Sequence, residues 1–259
     1  MLAAVVAGCA ATPSPESRRE LQAGYQALGQ QDYNAAMAHA DRFLREHPSG
    51  GPGTAEALYL EGRVYEQRAA TDEVAAREAE SKLNLQYARG TYERGLTMKS
   101  SQAVTALLHA GVANAAYFQE DYSTAMEQWG LAYPGLQQAD ARAWVLYRIG
   151  LCQQRVGRFD QADRSFALVR QEYPGSVPAG RAATRIGAKA FFVQIGAYSD
   201  AANADKAVAA LHAQGLRASK SVEGAGRQAV RVGPAYTYAE AKSLQGRLLG
   251  AYPGAIIEP

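Results

Sequence analysis

The stretch LYRIGLCQQRVGRFDQADRSFALVRQEYP, from Leu146 to Pro174, decides how most of this chain folds. Leu146, Ile149, Gly150 and Gln153 recur at spacings of three and four, as do Phe159, Ala162, Phe166 and Val169, which places each set on one face of a helix. Gly157 stands between the two runs, where a residue able to take a left-handed conformation ends the first helix. The small Gly150 and Ala162 let the two helices approach closely, Phe166 fills the space beside them, and Pro174 stops the second helix. The unit is a helical hairpin with one apolar face, which it cannot bury alone.

Self-similarity extends upstream. One copy carries Gly24, Tyr33, Ala36, Ala40, Phe43 and Pro48, and another carries Ala113, Tyr122, Ala125, Trp129 and Ala132. Between them, Leu58, Gly62 and Tyr65 open a copy that resumes at Ala88, Tyr92 and Gly95. Its second small residue comes 14 positions later than the spacing requires. The inserted sequence, Thr71 to Leu85, is charged and helix-favouring, so lengthened helices are expected there rather than a loop. The pattern G-x6-G-x-F-x2-A-x3-F-x7-P resembles the tetratricopeptide (TPR) repeat. The resemblance implies an α-solenoid over residues 18–187, closed by a capping helix over Pro178–Gly187, with a concave surface that receives a protein or peptide partner.

From Ala190 the periodicity changes. Residues 191–196, 216–222 and 228–232 alternate with period two, Ala201–Gln214 has helical spacing, Thr237 and Glu240 form a capping box that opens a second helix, and Ala255–Glu258 closes as a short strand. The order is βαββαβ, a ferredoxin-like two-layer module in residues 190–259, with helices on one face of a four-stranded sheet. Val193 and Ile195 on the first strand and Val230 and Val232 on the third are expected to face the helices. That sends Phe192, Gln194, Ala229 and Arg231 to the open face.

Phe192-Val193-Gln194-Ile195-Gly196-Ala197-Tyr198, the helix from Ala204 to Leu216, and Val230-Arg231-Val232-Gly233-Pro234 together resemble the SPOR domain, a peptidoglycan-binding module of bacteria. The resemblance implies binding to glycan strands stripped of stem peptides, with Gln194 matching the family's glycan-contacting glutamine. Some members carry an aromatic residue and an arginine on the third strand, where this chain has Arg227 and Ala229. Arg231 offers a guanidinium from the same face. The expected glycan-binding residues are therefore Phe192, Gln194, Tyr198, Arg227 and Arg231: aromatic rings to lie against sugar rings, an amide that donates and accepts, and guanidinium groups for carboxylates. For each of them a purely structural or solvated role is the competing reading.

Charge argues against nucleic acid as a partner. Lys and Arg total 27 against 25 Asp and Glu, and the whole excess lies in residues 190–259, with seven basic and five acidic side chains. That is no clustered basic footprint. The run from Gly224 to Ala229 fits G-x-G-x-x-A but leads into a strand, so a hairpin turn is expected rather than a dinucleotide site. His39, His47, His109 and His212 lack metal-ligand spacing, and no nucleophile motif or catalytic carboxylate pair stands out. No cofactor, metal or enzymatic activity is expected.

With two cysteines the chain has no disulfide framework. Cys152 falls in an apolar helical pattern. Cys9 ends a short apolar run, and Val6-Ala7-Gly8-Cys9 resembles a lipobox, whose cysteine is acylated. No basic residue precedes the run, so the expectation is a translation start upstream of Met1; an accidental apolar N-terminus is the alternative. Residues 1–17 are read as this partial signal and a tether. The functional expectation is a lipid-anchored, non-enzymatic cell-envelope protein on the periplasmic side, at septal or remodelled wall. It would bind peptidoglycan through the C-terminal module and a protein through the repeats. The alternative is a TPR scaffold of an envelope complex without glycan affinity.

Overall fold

The computed structural model describes residues 13–74, 77–223 and 226–259. Two compact units divide the chain between Val145 and Leu146. Cys9 lies outside the described residues.

In the first unit, α1 (Pro15–Gly29) with α2 (Tyr33–Glu46), α3 (Thr54–Val74) with α4 (Glu78–Leu96), and α5 (Gln102–Phe118) with α6 (Tyr122–Ala132) form three helical hairpins, followed by a 3-10 turn at Tyr133–Gly135. Helix α1 begins inside the segment expected as a tether. Pro15 suits a first turn, and the Ser14 hydroxyl accepts from the Ser17 N–H at 3.1 Å. Asp32 and Asp121 cap α2 and α6 in the same way.

The expected repeat residues form the core. Ala36 and Phe43, Ala88 and Tyr92, and Ala125 and Trp129 are all fully buried. The inserted sequence lengthens α3 and α4 to 21 and 19 residues. Beyond the stacked region the hairpin tip is tied by the buried Asp72, which accepts from Arg77 Nη2 at 2.6 Å and Asn84 Nδ2 at 2.7 Å.

The second unit contains the end of α7 (Ala139–Arg155), then α8 (Phe159–Glu172), α9 (Val177–Ala183), β1 (Phe191–Tyr198), α10 (Ala201–Ala213), β2 (Ala218–Val222), β3 (Gln228–Ala235), α11 (Tyr238–Leu248) and β4 (Ile256–Glu258). Phe166 is fully buried against Gly150, where a Cβ would lie 2.5 Å from the ring. The strands run antiparallel in the order β2-β3-β1-β4. Val193, Ile195, Val230 and Val232 face Ala204 and Leu211 of α10 and Leu248 of α11. This is the expected two-layer βαββαβ arrangement. Thr237 caps α11 by accepting from Glu240 N–H at 3.2 Å, but Glu240 reaches back to the N–H of Tyr236, one residue earlier than an ordinary capping box.

The sheet module and the α7–α8 hairpin share a core. Phe159 packs with Phe191, Ala235 and Ala241, all buried, and its ring centroid lies 5.5 Å from that of Phe191. Phe191 meets Tyr238 edge-on at 5.8 Å, and the Arg155 guanidinium sits 4.4 Å from the Tyr238 ring centroid. Lys189 bridges Asp160 at 2.8 Å and Asp163 at 3.1 Å.

Gly157 serves this contact as well as the turn. Gln31, Glu120 and Gly157 occupy equivalent hairpin positions with φ of 62°, 63° and 81°. The turn therefore accepts other residues. At Gly157 a backbone group stands beside the turn, the Tyr236 carbonyl oxygen, which would lie 2.7 Å from an added Cβ.

Candidate functional site

Pairing of β1 with its neighbours assembles the open face of the sheet. Gln194 stands opposite Arg231 of β3 on one side and Ile256 of β4 on the other, and Arg231 stands opposite Ser219 of β2. Phe192 stands opposite Glu258. Because partners across a ladder share a face, these residues form a continuous surface while Val193, Val232 and Ile257 point to the helices.

The polar centre is a network of four side chains. Arg231 Nη2 lies 3.2 Å from Glu223 Oε1 and 3.0 Å from Glu258 Oε2. The inward atom of the Gln194 amide lies 2.9 Å from Glu223 Oε1 and 3.1 Å from Glu258 Oε2. Were that atom the oxygen, it would accept from Arg231 Nε at 3.4 Å but face two carboxylate oxygens. Were it the nitrogen, it donates to both carboxylates. The second orientation removes two acceptor–acceptor contacts at the cost of one long bond and is the one the network favours. The three charged side chains are each about a third exposed, Arg231 and Glu223 at 32% and Glu258 at 30%. The cluster is reachable from solvent and carries one formal positive and two formal negative charges.

Apolar groups flank it. Ile256 is 50% exposed. Phe192 is half-buried, its ring lying along the backbone at Gly233, where a Cβ would come 2.9 Å from Phe192 Cδ1. Glycine at that position lets the ring lie flat on the strand.

Of the five side chains expected at the site, the structure brings Phe192, Gln194 and Arg231 together on the open face. Arg227 is exposed at the sheet end, where its Nη2 donates to the Ala197 carbonyl at 2.9 Å. Tyr198 goes elsewhere, packing against the helix-side core. The cause is a register shift between Gln194 and Gly196, after which Gly196 opposes the inward Val230 and Tyr198 opposes Gln228. The extra residue of a bulge reverses which side chains face outward, so strict alternation from Gln194 misplaces Tyr198. Ala229, paired with Ala197, is fully buried.

Two carboxylates escaped the sequence reading. Alternation in β4, with Ile257 inward, puts Glu258 outward, but which strand it meets depends on pairing order. Glu223 lies just past β2 and is turned back by a hairpin in which its N–H donates to the Arg227 carbonyl at 2.7 Å.

A second polar cluster lies in the first unit. Glu56, Tyr59, Arg63 and Glu66 recur along α3 at spacings that share a face, and all are partly exposed. Glu66 accepts from Tyr92 Oη at 2.8 Å and Asn114 Nδ2 at 3.1 Å, with Arg63 Nη1 at 3.7 Å. Burial pushes the Tyr59 and Tyr92 hydroxyls up, so both remain protonated, and Tyr92 donates to Glu66. Among the described residues no three His, Cys, Asp or Glu side chains are grouped to hold a metal, and no helix is long and apolar enough to cross a membrane.

No curated protein matches the chain. Among solved structures, the MamA protein aligns at 14% identity with a TM-score of 0.48, covering 64% of this chain and 78% of that one. A thermophilic TPR protein of Thermus thermophilus aligns at 16% identity with a TM-score of 0.34, covering 65% of this chain and 98% of that one. Residues 187–257 match the SPOR domain family. The module that carries the open face, from just before β1 into β4, is thus similar to the SPOR domain in sequence and has the βαββαβ order.

Proposed function

We propose that this chain is a non-enzymatic adaptor of the bacterial cell envelope, binding peptidoglycan glycan strands through the open sheet face and a protein partner through the helical hairpins. What carries this reading is the open face of the sheet module, built mostly from residues of the SPOR match, where an amide, a guanidinium, two carboxylates and two apolar side chains converge. Sugars offer this combination its complement: hydroxyl and acetamido groups for the polar centre, and ring C–H faces for Phe192 and Ile256. Gln194 and Arg231 are the central contacts and Arg227 stands at the rim. Tyr198 supports β1 from beneath. On the hairpins, the α3 face of Glu56, Tyr59, Arg63 and Glu66 is the surface we assign to the protein partner.

We place the functional boundaries at 1–17, 18–187 and 190–259, with Cys9 acylated and the protein on the periplasmic side, at septal or remodelled wall. Mass spectrometry of the exported protein tests the anchor, and an unmodified Cys9 refutes it.

Pull-down of the full chain on purified sacculi tests the wall reading. Gln194→Ala is expected to weaken binding about threefold to tenfold, the loss of one or two hydrogen bonds, with the fold retained. Binding unchanged by both Gln194→Ala and Arg231→Ala would move the site elsewhere. One observation favours the alternative of a scaffold without glycan affinity: Arg231 is already paired with two carboxylates. A folded chain that ignores sacculi would establish that reading.

A further inference from the structure

On the α3 face three of the four polar side chains answer one another, and Glu56 does not. Arg63 lies 3.7 Å from Glu66, whose carboxylate also accepts from Tyr92 and Asn114, and Arg63 bonds the Tyr59 hydroxyl. Among the described residues the Glu56 carboxylate makes no ion pair and no side-chain hydrogen bond. It is half-buried, and desolvation raises its carboxyl with no basic group to draw it back. Phenol rings stand beside it. Tyr25 of α1 donates its hydroxyl to the Glu56 backbone carbonyl at 3.4 Å, and Tyr59 follows three residues on along the same face. Helices α3 and α5 run in the same direction, since Gly62 and Gly111 both pack on Tyr92 and Glu66 meets Asn114 further along. Two helical turns back from that bond stand Tyr59 on α3 and Leu107 on α5, so Leu107, 37% exposed, borders the same surface. Helix α5 holds no Asp, Glu, Lys or Arg, and residues 13–145 carry 12 Lys and Arg against 17 Asp and Glu.

We propose that Glu56 is the specificity-determining residue of this face, taking a lysine or arginine side chain of the partner protein while an apolar residue of the same segment seats on Tyr59 and Leu107. The proposal rests on the protein-partner reading of the α3 face given above. The cation pairs with the carboxylate, and its methylene stem and charge lie against the Tyr25 and Tyr59 rings. Packed helix axes lie about 8–10 Å apart, and an extended chain rises about 3.3 Å per residue. The apolar residue therefore falls about three positions from the basic one. An acidic segment would leave Glu56 unpaired beside a second like charge and would approach a unit of net negative charge.

The test selects random-sequence peptides displayed on phage against the immobilised full chain, then measures one selected peptide with its basic residue as lysine or as N-acetyllysine. Selected peptides are expected to carry Lys or Arg with an apolar residue about three positions away. Acetylation should weaken binding to wild type about tenfold, the loss of a charge-assisted contact. Glu56→Gln should weaken the lysine peptide by a similar factor and leave the acetylated one unchanged, the coupling that a direct contact requires. Removing a half-buried charge does not threaten the fold. Leu107→Ala should weaken both forms. Peptides that lose binding on Leu107→Ala yet lack a basic residue, or that are indifferent to acetylation or to Glu56→Gln, overturn the proposal and leave the partner reading in place. Peptides unaffected by both Glu56→Gln and Leu107→Ala, or a folded chain that enriches none, overturn the partner reading and the proposal with it.

Discussion

Replacing Phe159 by alanine tests whether the last helical hairpin and the sheet module fold as one body. Phe159 begins α8, yet its ring is 6% exposed and packs on Phe191 of β1, Ala235 at the end of β3 and Ala241 of α11. Truncating a buried phenylalanine removes its transfer free energy and leaves a cavity, together about 3–5 kcal/mol. The Phe191 ring at 5.5 Å contributes about 0.5–1.5 kcal/mol of this through aromatic pairing. We expect a loss of about 3–4 kcal/mol, since the contact lies at the edge of two cores and its small alanine neighbours can partly close the gap. Native-state hydrogen exchange reads the result element by element. If the hairpin and sheet are one cooperative unit, Phe159→Ala lowers protection of the β1 and β3 amides together with those of α8. As a control, Phe166→Ala removes a side chain packed on Gly150, within the hairpin. Unchanged protection in β1 and β3 for Phe159→Ala would refute the shared core, and the sheet module would then be an independent domain on a linker.

Three further outcomes are expected. Gly157→Ala should cost more than the about 1–2 kcal/mol of a left-handed alanine, because its Cβ meets the Tyr236 carbonyl; a denaturation midpoint close to wild type would count against that contact. Burial raises the Glu56 carboxyl, so this group favours folding below its unfolded value and that contribution is lost as pH rises through the folded one. Glu56→Gln should therefore raise the melting temperature at pH 7 and flatten its dependence on pH above about 4, and equal melting temperatures at pH 7 would show that the burial carries no penalty. Cys152 is fully buried with its thiol pushed up to about 12 by desolvation, so it should resist thiol reagents at about pH 8 until the chain unfolds; rapid labelling of native protein would contradict this.

Much of the architecture was legible because its signals are local and repeat. Phe166, Ala162 and Gly150 could be paired from spacing alone, since helix period and hairpin length dictate which faces meet. The same logic located Ala36, Ala88 and Ala125. The turns were less legible: Gln31 and Glu120 take left-handed conformations that no glycine announces. At the site, alternation put Phe192, Gln194 and Arg231 on the open face. It failed at Tyr198, where one extra residue reverses the facing of everything after it.

Local residue order was enough to specify the helical hairpins, the βαββαβ succession and the inward valines of the sheet, because periodicities of 3.6 and two are imposed by backbone geometry within each element. It was not enough to show that Glu223 and Glu258, 35 positions apart in the chain, enclose the same guanidinium. Nor could it place Phe159 in the core beneath β1. Those contacts arise from pairing order, register and docking, which are set by the summed packing of distant segments and leave no mark in any one of them.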